Sequence, residues 1–149
     1  KTAVIGLHLK SVPTEPNAVA KREKQADAVA KQLNRLSAAG YATIVLGDLN
    51  DWDPIVPDAD PSAQATPISQ ALKKMKDYVP GGDDELVNSL KWIEPMEKRY
   101  TYDYKGSKTV LDHILLPIGW RDKVSGATID HDRPKGASDH WPVILDLSW

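Results

Sequence analysis

A chain of 149 residues with 41% apolar and 27% charged side chains fits one globular domain and excludes a disordered or fibrous chain. The net charge of −2, from 19 basic and 21 acidic residues, lacks the basic excess of a duplex-binding module, while leaving room for a hydrolase that meets phosphate through a metal ion. The absence of cysteine excludes disulfides and thiolate zinc sites, and no apolar run approaches the roughly 18 residues of a membrane helix.

The first element is a strand. Ala3, Ile5, Leu7 and Leu9 alternate with Val4, Gly6 and His8, and both sets are largely apolar, which predicts a strand covered on both faces. Because it starts almost at Lys1, we expect this chain to be a piece of something longer. Two prolines in Ser11–Asn17 end the strand. From Ala18 to Ala39 the pattern is helical, with Val19, Ala26, Val29, Ala30, Leu33 and Leu36 on one stripe and Lys21, Lys24, Asp27, Lys31 and Arg35 facing away. Gly40 suits the left-handed end of that helix. A second strand, Ala42–Leu46, completes a βαβ unit. Asp51–Pro67 reads as loop, Ile68–Met75 as a short helix and Pro80–Asp84 as a break. Arg99–Tyr104 and Thr109–Leu116, joined by Lys105-Gly106-Ser107, predict a hairpin. Two last strands, Val124–Ile129 and Trp141–Leu147, flank the polar loop Asp130–Ser138. The fold class is α/β with a mixed sheet.

Three clusters at strand ends could carry chemistry. Gly47-Asp48-Leu49-Asn50-Asp51 follows an apolar strand, where open α/β sheets bind ligands, although Gly, Asp and Asn also make ordinary turns. In Leu111-Asp112-His113-Ile114-Leu115-Leu116, alternation puts Asp112 with Val110 and Ile114 and sends His113 to the other face. A carboxylate among aliphatics needs a partner, which local donors could also supply. Ser138-Asp139-His140-Trp141-Pro142 joins a metal-ligand type to a base type just before a strand. His8 taken alone reads as a satisfied histidine, and His131, between Asp130 and Asp132, as solvated surface. Trp52, Tyr102 and Trp141 could stack on a base or sugar but read first as packing residues. Lys10 and Lys105 could reach phosphate or be plain surface.

Taken in order, these segments resemble the endonuclease/exonuclease/phosphatase superfamily of metal-dependent phosphoesterases. Ile5-Gly6-Leu7-His8-Leu9-Lys10-Ser11 is similar to its histidine strand, Gly47-Asp48-Leu49-Asn50 to its Gly-Asp-Leu-Asn motif, and Leu111-Asp112-His113-Ile114-Leu115 to its Leu-Asp-Tyr/His-Ile-Leu strand. Ser138-Asp139-His140-Trp141-Pro142-Val143 is similar to its closing motif. The resemblance runs from Thr2 to Leu147 and implies phosphodiester hydrolysis by in-line attack of water with a divalent ion, magnesium or manganese. It implies His140 as general base or phosphate-neutralising histidine, Asp112 as the carboxylate that orients it, and Asp139 as metal ligand. It also implies Asn50 as donor to a phosphate oxygen, Asp48 as the group that positions water or protonates the leaving group, and His8 as a charge stabiliser.

The resemblance implies a four-layer α/β/β/α sandwich of which residues 1–149 are a single, partial domain, the C-terminal half. The N-terminal half would bring an asparagine and the glutamate that is the main metal ligand. Glu15, Glu23 and Glu94 do not stand at strand ends where that glutamate belongs. We therefore expect an unpacked sheet face, and as partners a phosphoester substrate, nucleic acid among the candidates, together with the missing half or a self-association partner. Two other functions share these residues: a phosphomonoesterase on a sugar or inositol phosphate, and a non-catalytic binding fragment of the same fold. The second would show eroded chemistry, whereas His8, Asp48, Asn50, Asp112, Asp139 and His140 are all present.

Overall fold

The computed structural model describes residues 1–56, 69–79, 81–82, 85–132 and 136–149. Its strands are β1 (Thr2–His8), β2 (Ala42–Asp48), β3 (Leu86–Asn88), β4 (Tyr102–Tyr104), β5 (Ser107–Thr109), β6 (Asp112–Pro117), β7 (Val124–Ile129) and β8 (Val143–Leu147). Its helices are α1 (Pro16–Ala38) and α2 (Ala71–Lys76). Most of the expected loop after Asp51, the start of the short helix at Ile68, most of the Pro80–Asp84 break and part of the Asp130–Ser138 loop lie outside the described residues.

The βαβ unit forms as expected. Pro16 opens α1, where its fixed φ is already helical and its missing N–H is no loss. At the other end Gly40 has φ +79. The N–H groups of Gly40 and Tyr41 donate back to Ser37 O and Leu36 O at 2.9 and 3.0 Å, closing the orphan carbonyls of the last turn. The helix returns the chain so that β2 lies parallel to β1, in register from Thr2 with Ala42 to His8 with Asp48. Gly47 is required for that register. It has φ +125, and a Cβ there would lie 2.1 Å from Leu7 O. β2 therefore carries on two residues past the predicted end and delivers Asp48 beside His8.

The main sheet has the order β1-β2-β6-β3, parallel at the first pairing and antiparallel at the next two. This is the expected mixed sheet. The predicted hairpin is only partly right. Lys105 (φ 53) and Gly106 (φ 91) form a two-residue turn between β4 and β5, the geometry that matches strand twist. The strand after it is not continuous from Thr109 to Leu116. Val110 and Leu111 are buried between β5 and β6, and β6 leaves the hairpin to pair with β2. β3 is too short for periodicity to reveal, and β7 and β8 form a separate antiparallel pair. β8 starts at Val143 rather than Trp141, because the Trp141 N–H donates to Thr101 O at 2.9 Å.

The core lies between the helices and one face of the main sheet: Leu9, Ala26, Leu33, Val45, Leu49, Met75 and Leu115 are buried together there. The other face corrects the expectation for β1. Thr2, Val4, Gly6 and His8 are exposed while Ala3, Ile5 and Leu7 are half-buried, so β1 is covered on one side only. Val4 is 60% and Leu46 36% exposed. A run apolar on both faces is the mark of a strand between two layers; among the described residues α1 and α2 pack on one side and leave this part of the other side open.

Candidate active site

The open ends of β1, β2 and β6 meet the segment before β8. Asp48 and Asp112 are cross-strand neighbours in the β2–β6 pair. The Nδ1 of His140 lies 2.6 Å from Asp112 Oδ2, and His8 Nε2 lies 3.4 Å from Asp48 Oδ2, with the His8 side chain 74% exposed. One ligand atom each from Asp48, Asp112 and His140 falls within 4.8 Å of the other two. All four residues line one cleft of about 1090 Å³, along with Asn50, Asp139, Trp52, Tyr102, Tyr104 and the loop Ser11–Thr14. The six expected residues, from four separate segments, thus share one cavity.

Electrostatics within the cleft favour a cation. The Asp48 carboxyl is pushed above its ordinary range, first by burial and then by the neighbouring Asp112 carboxylate; the Asn50 N–H, His140 and His8 pull the other way. Two carboxylates beside an imidazole are a donor set that a divalent ion would relieve, so the residues present fit a metal. Asp139 lies on the same wall but is exposed and stands outside the close trio. Asn50 is buried at φ 49; its N–H donates to Asp48 Oδ1 at 2.9 Å and its amide to Leu9 O at 3.2 Å. One amide proton is thereby committed to joining the ends of β1 and β2, and a second remains on the same nitrogen. Glu15, Glu23 and Glu94 do not line the cleft. Glu23 accepts from Gln70 N and Glu94 sits 3.5 Å from Arg99.

Below the cleft lies a buried polar layer that sequence reasoning did not find. His113, on the opposite face from Asp112 as alternation requires, is 1% exposed. Asn88 Nδ2 donates to its Nδ1 at 2.8 Å and its Nε2 donates to Asp51 O at 2.9 Å, a pattern that only the neutral ring satisfies. The same Asn88 amide donates to Asp53, which pairs with Lys76 at 3.0 Å. Arg22 is fully buried on α1 and donates to Lys10 O and Pro13 O at 3.1 and 2.8 Å. Its spacing with Ala18 and Ala26, a cation at i+4 on the buried stripe, is the signal that could have marked it.

Burial pushes the His113 pKa below its ordinary value of 6.5. The unfolded chain takes up a proton near that value and the native ring does not, so this stability is present above about pH 6.5 and is lost as pH falls toward the folded-state pKa. Urea midpoints therefore fall between about pH 7.5 and pH 5.5, and the fall is smaller in His113→Gln; equal falls in both proteins would contradict the buried neutral ring.

His131 is not solvated surface. It is half-buried, donates Nε2–H to Tyr100 O at 3.0 Å and stacks on the Tyr100 ring at 4.1 Å, with Trp141 edge-on at 5.5 Å. The flanking acids Asp130 and Asp132 hid an aromatic contact made by residues 31 and 10 positions away. Trp141 is a packing residue, as expected, whereas Trp52 and Tyr102 do line the cleft. Lys10 borders a smaller adjoining cavity with His8 and Lys21, and Lys105 lies at the exposed hairpin turn against Tyr104.

No family model matches the chain, and no curated protein matches it in sequence. Solved structures do match. NExo from Neisseria meningitidis, described as a 3′-5′ exonuclease and, bound to a product DNA hairpin, as a 3′ phosphatase, superposes with a TM-score of 0.71 at 20% identity, over 98% of this chain and 61% of that one. The APE2 catalytic domain of Xenopus laevis matches with a TM-score of 0.68 at 18% identity, over 94% of this chain and 48% of that one. An AP endonuclease from Archaeoglobus fulgidus matches at 0.64 and 18%, over 98% and 61%. The chain therefore spans about three fifths or less of the length of these structures.

Proposed function

We propose that the chain, which shares the α/β fold of solved nuclease structures of the endonuclease/exonuclease/phosphatase superfamily across nearly its whole length, carries the catalytic cleft of a metal-dependent hydrolase of phosphodiesters, with nucleic acid as the substrate class. The observation that carries this reading is the convergence of Asp48, Asp112 and His140 within 4.8 Å at the mouth of one cleft. A non-catalytic module has no need to hold two carboxylates against each other there, at a cost that a bound cation would relieve further than the neighbouring imidazoles do.

In this reading His140 takes the proton of the attacking water at Nε2. Asp112, on Nδ1, fixes the tautomer and steadies the imidazolium that forms. Asp48 orients the water. Asn50, through its remaining amide proton, and His8, at the exposed rim, meet the negative charge that gathers on the phosphoryl oxygens. A magnesium or manganese ion, which favours oxygen donors, would be held by Asp139 together with the Asp48–Asp112 pair. When bound it supplies Lewis-acid polarisation of the phosphoryl oxygen. In the same proposal the chain is half of a larger sandwich domain, and a further layer packs on the open face around Val4 and Leu46; that half, as a second chain or a longer form, is needed for full activity.

The name 3′ phosphatase borne by one similar structure favours a second reading, cleavage of a terminal phosphomonoester. Both are tested with a labelled DNA hairpin carrying either an internal diester or a 3′-phosphate, with magnesium or EDTA. The chain is assayed alone and in the longest form its gene encodes. Metal-dependent strand shortening supports the first reading, and release of phosphate without shortening supports the second. If neither substrate changes in either form, both readings fail and a binding module remains.

A further inference from the structure

The Asp112–His140 contact joins side chains 28 residues apart at 2.6 Å, and something must hold the two segments in register. We infer that Thr101 is the positioning residue that does so. Thr101 has 0% exposure and does not line the cleft. Its Oγ1 accepts two N–H bonds, from Leu111 and from Asp112, both at 3.0 Å. Its carbonyl accepts the N–H of Trp141 at 2.9 Å, and its own N–H donates to Thr109 O at 2.9 Å. Next to it, Tyr102 and His140 form an isolated antiparallel bridge. One residue therefore grips the backbone of Asp112 with its side chain and the backbone next to His140 with its main chain.

The topology explains why a side chain is needed there. On one side β6 pairs with β2 as far as Asp112, but on the other side β3 reaches only Leu115–Pro117. At Asp112 no strand among the described residues supplies that second edge, and buried N–H groups must find an acceptor. The threonine hydroxyl takes the place of the missing strand carbonyl. Valine has nearly the same shape and would fill the space without offering an acceptor. A merely space-filling residue would leave the Asp112–His140 distance unchanged when the hydroxyl is removed; a positioning residue would not.

The inference rests on the reading of Asp112 and His140 as the working pair, so the test uses a readout that does not require turnover. A short Nδ1–H bond to a carboxylate gives a far-downfield proton resonance, assigned to His140 by its absence in His140→Ala. Thr101→Val should shift that resonance upfield or remove it, with amide dispersion elsewhere preserved, and Thr101→Ser should restore it. With an active form, Thr101→Val lowers kcat by about 10- to 100-fold while KM moves about 2-fold or less, the pattern of a misplaced reacting group. A Thr101→Val protein with the resonance unmoved overturns the inference. So does a folded Thr101→Ser protein that lacks it, which keeps the idea testable if the valine variant fails to fold. If no phosphoester is cleaved by the wild type, the functional reading fails, while the resonance still decides the role of Thr101.

Discussion

On the proposed mechanism, His140→Ala lowers metal-dependent turnover of bis(p-nitrophenyl) phosphate by about 10²- to 10⁴-fold, the usual contribution of a general acid or base. The imidazole is only 25% exposed and Asp112 only 20%, so the pair is sheltered but reachable from the cleft. Alanine removes the proton acceptor and leaves the Asp112 carboxylate facing Asp48 without the neighbour that offsets their repulsion. The loss should fall on kcat, because His140 is asked to act in the transition state rather than to hold the substrate. Asp112→Asn keeps the shape of its partner but not the charge, and its loss should be smaller than that of His140→Ala. The double variant should be no worse than His140→Ala alone, since groups that act as one unit are not additive. Steady-state kinetics with magnesium on matched preparations decides this. Additive losses would mean that the two residues act independently, and a change in KM alone would assign the pair a binding role.

Arg22→Ala destabilises the fold by about 3–5 kcal/mol, the cost of removing one partner of a buried ion pair, against a total of about 5–15 kcal/mol for a typical domain. Arg22 and Asp51 are both fully buried, with the Arg22 Nε 3.7 Å from Asp51 Oδ2, an ion pair too long to be a hydrogen bond. Without the guanidinium, Asp51 keeps, among the described residues, the neutral donors Ser69 Oγ and the Trp52 N–H. The carbonyls of Lys10 and Pro13 also lose their donors. Urea unfolding at neutral pH measures the loss. Combining Arg22→Met with Asp51→Asn should recover part of it, because the charge that needed compensation is gone. A single variant within about 1 kcal/mol of wild type would mean that water reaches Asp51. Activity should fall as well, since Arg22 anchors the loop Ser11–Thr14 that forms one wall of the cleft. That loop holds Val12 at φ +64, a conformation a β-branched residue adopts only when its surroundings impose it.

Two parts of this protein were legible for different reasons. The βαβ unit was readable because its information is local. An amphipathic stripe and a C-terminal glycine define α1, and two apolar runs define its flanking strands, although β2 runs on to Asp48. The six residues that line the cleft together could be named as candidates because each lies near a strand terminus in a short motif, and alternation placed Asp112 and His113 on opposite faces without any tertiary knowledge.

What sequence did not reveal is of another kind. The break at Val110-Leu111 follows no local rule, because both residues are good strand formers; β6 leaves the hairpin since β2 offers a longer ladder. β1 reads as covered on both faces, and only packing shows which face the helices take. Charge on His131, Arg22 and Asp51 suggests solvent by composition, but burial depends on which distant rings and carbonyls arrive to satisfy each polar group. Sequence alone therefore determined the elements and the chemical types at their ends. Tertiary structure alone decided the distances between them, the 2.6 Å contact of His140 with Asp112 and the polar layer beneath it, because contacts across 28 residues or more depend on how strands pair rather than on what either strand contains.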